Sequence, residues 1–88
     1  MYYQLIFRVI QKFTELYHYT PEYIIMNVDY YRSLSNEMYD DQLYFLIKTN
    51  SIMGLHIEFD TVDNFIVIGN DDDKLSLKEF KEMMGYIK

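Results

Sequence analysis

Apolar positions in the first part of the chain recur every three or four residues. Leu5, Ile6, Val9, Ile10, Phe13, Leu16 and Tyr17 form one stripe, with Gln4, Arg8, Gln11, Lys12 and Glu15 on the other side. That spacing predicts an amphipathic helix. Thr20-Pro21 is expected to end it, because a residue before proline is pushed out of the helical region. The pattern then changes. Tyr23 to Val28 is a short run rich in aromatic and β-branched residues and predicts a buried strand. Asp29 is placed to cap a second helix in which Tyr30, Leu34 and Met38 lie four apart with Tyr31 beside them, and Asp40-Asp41 interrupts that helix. Leu43 to Lys48 is a short apolar run whose periodicity does not separate helix from strand; helix is the preferred reading.

From Leu55 to Asp60 apolar and polar residues alternate, as in a strand with one buried and one wet face. Thr61 to Asn64 make a turn around Asp63-Asn64. Phe65 to Ile68 is the return strand, apolar on both faces and therefore expected to be central, and Gly69-Asn70 ends it. A last helix is expected from Leu77 to Ile87. The order α-β-α-(α/β)-β-β-α predicts one small α+β domain spanning residues 1–88, with a sheet of about three strands packed with helices. Leu5, Val9, Phe13, Ile25, Leu55, Ile57, Phe59, Val67 and Phe80 are the expected core.

Composition sharpens this picture. A chain of 88 residues buries only roughly 60–65% of the surface its unfolded form exposes, so its stability margin is thin. Cysteine is absent, which removes both disulfide staples and thiolate chemistry. The core must be built from bulk, and 10 Tyr, 6 Phe and 6 Met supply it. Alanine is missing, and Gly, Arg and Pro number 6 together, against 43 for Phe, Tyr, Met, Ile, Asn and Lys, a bias of low-GC coding. The net charge is −6, from 14 carboxylates and 8 Lys and Arg. Phosphate backbones and anionic membrane surfaces repel such a chain, so direct nucleic-acid or membrane binding is not expected. No stretch approaches the apolar length of a membrane span and the first residues lack a signal peptide's pattern, so the expected location is cytoplasmic, in a host cell.

Catalytic signals are lacking. His18 and His56 have no metal-type spacing, the serines sit in no nucleophile context, and three glycines form no phosphate loop. No enzyme activity and no cofactor or metal are expected. The segment from Asn70 to Phe80 resembles the end of an EF-hand loop if Glu79 is the final ligand and Asn70 and Asp72 supply oxygens. Ile68 would then stand at the first ligand position and Asp73 where the turn glycine belongs. A capping box, Ser76 with Glu79, explains the same residues better, with Asp71 to Asp73 near the positive end of the last helix.

Two surface features remain. Carboxylates cluster at Asp40 and Asp41 and, in the second half of the chain, at Glu58, Asp60, Asp63, Asp71, Asp72 and Asp73. Such groups on a small scaffold suit a solvated face, or can imitate DNA phosphates and occupy a nucleic-acid-binding protein. The ten tyrosines are too many to lie wholly inside, and tyrosine suits interfaces because it joins apolar area to a polar tip. Candidate partner-binding residues are therefore Glu58, Asp60, Asp63, Asp71, Asp72 and Asp73, with Tyr31 and Tyr44 as aromatic anchors.

Pro21-Glu22-Tyr23-Ile24-Ile25-Met26-Asn27, then a helix with Tyr31 and Leu34, then Ile52-Met53-Gly54-Leu55-His56-Ile57 leading into a hairpin, resembles a strand–helix–hairpin stretch of tailed-phage major capsid proteins and encapsulins. The resemblance covers residues 21–69; the family's extended loop and arm have no counterpart. It implies a phage or prophage origin, with which the low-GC coding agrees. The function expected is therefore protein–protein binding by a small phage or mobile-element protein, inhibiting a host nucleic-acid-directed or defence enzyme, with DNA mimicry as one route. A virion structural or assembly component is the alternative, and a weak Ca²⁺-binding module a third. Self-association is compatible with each.

Overall fold

A computed structural model describes residues 1–85. The elements are α1 (Tyr2–Tyr17), β1 (Tyr23–Met26), α2 (Val28–Glu37), α3 (Asp40–Thr49), β2 (Ser51–Ile52), β3 (Leu55–Phe59), β4 (Phe65–Ile68), β5 (Lys74–Ser76) and α4 (Leu77–Met83). The fold is α+β, with five strands rather than about three among the described residues. The ambiguous segment 42–48 is helical. The last helix ends at Met83, with Met84 and Gly85 in a turn, so it is shorter than expected; Ile87, its expected end, lies outside the described residues.

The stripe on α1 is the main wall of the core. Ile6, Val9 and Phe13 are fully buried, while Leu5, Ile10 and Tyr17 are half-buried and Leu16 is exposed. The helix stops before the proline signal: His18 adopts a left-handed conformation (φ 64°) and its N–H donates to the Thr14 carbonyl at 2.9 Å. At the other end the Glu37 carboxylate accepts from the amino terminus (2.9 Å) and from the N–H groups of Tyr2 (2.9 Å) and Tyr3 (3.2 Å). A side chain at the end of α2 thus caps α1, satisfying donors that a helix start leaves unpaired.

The sheet order is β2-β3-β1-β4-β5. The expected return hairpin is not formed. β1 lies between β3, which it pairs in parallel, and β4, which it pairs antiparallel. Residues 60–64 cross the end of β1, and Asn27 holds them there: its Nδ2 donates to the Val62 carbonyl at 3.0 Å and its N–H to the Asn64 carbonyl at 3.0 Å. Asn27 also caps α2, accepting the Tyr30 N–H on Oδ1 at 2.6 Å, so Asp29 falls in the first turn instead of at the cap.

Side chains of β1 alternate between its two faces, and only one face enters the core. Ile24 and Met26 enter the core, while Tyr23 and Ile25 stand half-buried on the other face beside Ile66. Ile25 is therefore not a core residue, and neither is Phe59, at the edge of the core face and 48% exposed. Val9, Phe13, Leu55, Ile57, Val67 and Phe80 are buried as expected.

The two unpredicted strands are short. β2 is tied to β3 by a turn of Met53 (φ 50°) and Gly54 (φ 82°), both left-handed as two-residue hairpins prefer. β5 pairs β4 across a loop closed by the Gly69 N–H on the Asp73 carbonyl at 2.8 Å. α4 begins as expected: the Glu79 N–H donates to Ser76 Oγ at 3.0 Å and the Ser76 N–H to Glu79 Oε1 at 3.3 Å. No described helix is long and apolar enough to cross a membrane.

Candidate functional site

The strand pairing divides the acidic residues. Asp71, Asp72 and Asp73 lie in the β4–β5 loop, at the end of the sheet where β1 starts; Asp60 and Asp63 lie where β1 finishes. β4 separates the groups by about 13 Å at about 3.3 Å per residue. Glu58 is exposed on the open face of the sheet, paired in register with Ile25. β5 also intervenes between Asp71–Asp73 and α4, so these carboxylates do not sit at that helix's positive end. Asp71 and Asp72 are exposed, but Asp73 is half-buried and accepts the Tyr19 hydroxyl on Oδ2 at 2.7 Å. Burial, and then the Asp73 carboxylate, push the Tyr19 phenol up to about 12.

Most tyrosines outside α3 are bound into the fold. Tyr30 is buried, its ring meets Tyr2 and Phe65 edge-on, and its hydroxyl donates to the Tyr2 carbonyl at 2.8 Å. Burial raises its phenol pKa, as does the nearby charge of Glu37. Tyr31 is half-buried with its ring edge-on to Phe59 at 5.1 Å, which makes it a packing residue at the rim of the core. Tyr44, on α3, has the exposure an anchor needs.

α3 is the element whose residues are least absorbed by the fold. It packs chiefly on β2 at the sheet edge and buries Leu46, with Leu43 half-buried. Tyr44, Phe45 and Ile47 on the helix and Tyr39 just before it are 59%, 65%, 66% and 79% exposed. Tyr44 meets Phe45 edge-on at 6.3 Å, and the Lys48 ammonium lies 5.4 Å from the centre of the Tyr44 ring and donates to its hydroxyl at 3.3 Å. Asp40 and Asp41 occupy the first turn and Lys48 the last, as the helix dipole favours. Sequence reasoning finds Tyr44 here but misses Phe45 and Ile47. The available signal is the unbroken run Leu43-Tyr44-Phe45-Leu46-Ile47: successive residues on a helix point in different directions, so one packed face cannot absorb them all.

Other sites offer less. Among the described residues no group of three His, Asp or Glu side chains is placed to hold a metal ion. Glu79 is engaged by Ser76 Oγ at 3.0 Å as well as by its backbone N–H. His18, just after α1, and His56, on β3, are both exposed. An open groove of about 700 Å³ runs between α1 and α4, walled by Arg8, Gln11, Lys12, Glu15, Phe80 and Met84. No buried side-chain polar atom among the described residues lacks a hydrogen-bond partner, so no unsatisfied group points to a ligand in the interior. Compared with protein-family models, with curated proteins and with solved structures, the chain matches none.

Proposed function

We propose that this protein works by binding another polypeptide, with α3 as its contact surface, and not by chemistry of its own. The observation that carries the reading is the exposure of Tyr39, Tyr44, Phe45 and Ile47, each more than half accessible on one short stretch. Large apolar side chains left exposed together on one short element are the feature that marks protein contacts. Tyrosine and phenylalanine are enriched at such contacts. Acidic mimicry of DNA would have to draw on Asp71 and Asp72 or on Asp60 and Asp63 separately, because the fold sets them at opposite ends of the sheet. The apolar helix is the better anchor, with carboxylates steering encounter.

Photo-crosslinking in the source cell tests this. A benzophenone amino acid placed at Tyr44 is expected to form a covalent adduct with a polypeptide, while one at Asp29, exposed in the first turn of α2, is not. Absence of any adduct at Tyr44, or equal yields at both positions, sinks the proposal.

A further inference from the structure

Resting on the reading of α3 as a polypeptide-binding surface, we infer that its occupant is a second copy of this chain, with the two α3 helices packed antiparallel about a two-fold axis that passes between them. Charge complementarity along the helix favours this occupant. Asp41, Tyr44 and Lys48 lie three and four residues apart, on one outward stripe of the helix. The stripe is acidic at its start, aromatic in its middle and basic at its end. Reversed, it is its own complement. An antiparallel copy sets Asp41 beside Lys48 of the second copy and the reverse, with the aromatic residues Tyr44 and Phe45 at the centre. A two-fold interface requires this self-complementarity, since one patch must serve both sides.

Three further facts agree. Antiparallel helices oppose their dipoles, whereas parallel ones would stack Asp40 and Asp41 on their own copies. None of the ion pairs among the described residues uses Asp40, Asp41 or Lys48, so these charges are uncommitted to other ions within the chain. Ile47 and Phe45 are exposed on opposite flanks of the stripe, so apolar area lies beside its middle. Partial burial of these side chains against the second copy would add the apolar area that exposed ion pairs, weak by themselves, do not supply.

Sedimentation of the purified chain and its charge variants tests the inference. The parent is expected to show a monomer–dimer equilibrium. Asp41→Lys and Lys48→Asp each create like-charge contacts twice per dimer, and each is expected to weaken self-association by about tenfold. In an equimolar mixture of the two variants, a mixed dimer again sets opposite charges against each other at both contacts, because one copy is basic at both positions and the other acidic at both. The mixture is expected to dimerise as the parent does. Circular dichroism should show all three proteins folded, since both positions are exposed. A parent monomeric up to millimolar concentration, or a mixture no better associated than either variant alone, overturns the inference. A foreign polypeptide as the sole adduct at Tyr44 overturns the second-copy occupant while leaving the binding function standing.

Discussion

The Tyr19 hydroxyl reaches across 54 residues of sequence to Asp73, closing a 2.7 Å hydrogen bond between the segment after α1 and the β4–β5 loop. The Tyr19 ring meets Phe13 edge-on at 5.5 Å. One side chain therefore ties the first helix, the core and an otherwise exposed acidic loop together.

This bond makes stability sensitive to alkali. Burial and the Asp73 carboxylate push the Tyr19 phenol up to about 12 from its ordinary 10.0. A raised folded pKa contributes stability that is complete below pH 10 and is lost as pH rises toward 12. The parent should lose more stability over that interval than Tyr19→Phe, which has no proton to lose. Melting curves of the two at matched pH check this, and parallel curves would show that the bond carries no linkage.

Gly69 faces the same cluster. A Cβ there would collide with the Tyr19 hydroxyl and approach Phe13 Cζ to 2.7 Å and Tyr19 Cε2 to 2.8 Å. Phe13 is fully buried and Tyr19 is held by Asp73, so neither ring has an easy retreat. Gly69→Ala should cost about 1–3 kcal/mol, the usual penalty of overpacking. Urea denaturation would measure it, with an unchanged midpoint the contrary result.

Two phenylalanines should behave differently. Phe13→Ala empties a fully buried site and should cost about 3–5 kcal/mol, enough to unfold so small a domain. Phe59 is 48% exposed, so Phe59→Ala should cost only about 1 kcal/mol. Chemical denaturation of both variants separates the cases, and equal losses would place Phe59 in the core after all.

Glu37 predicts the acid limb. Burial pushes its carboxyl up, but hydrogen bonds from the Tyr2 N–H, the amino terminus and the Tyr3 N–H, with the positive charge of the terminus, outweigh it and hold the group below its ordinary 4.5. A depressed folded pKa contributes stability present above the unfolded value and lost as pH falls through the folded one. Glu37→Gln should melt lower than the parent at neutral pH, and the gap should close below pH 4.5. A gap independent of pH would rule out the charge as its source. Because Glu37 is partly exposed, the gap should also shrink with salt.

The candidate surface is half legible in the sequence. Residue type points to Tyr44, but it points equally to Tyr31, which is packed against Phe59. Composition says that ten tyrosines cannot all be interior; it does not say which emerge, because exposure depends on neighbours brought from elsewhere in the chain. The acidic residues illustrate the same limit. Asp60, Asp63 and Asp71 to Asp73 lie within fourteen residues of one another, yet the antiparallel course of β4 sends them to opposite ends of the sheet.

What the chain by itself determined was local: the α1 stripe, the alternation of β3, the break between α2 and α3, the Ser76–Glu79 cap and the α+β class. Each rests on contacts within a few residues, where periodicity and hydrogen-bond chemistry suffice. Strand neighbours were decided only in three dimensions. Leu55–Phe59 and Phe65–Ile68 look like a hairpin because a short turn joins them, but β1 takes the place between them and pairs with both. β2 and β5 are too short to announce themselves and exist because a longer strand lies alongside to complete their ladders. The exposure of α3 has the same origin: its residues define a helix, but the sheet edge beneath it offers room for Leu46 and little else.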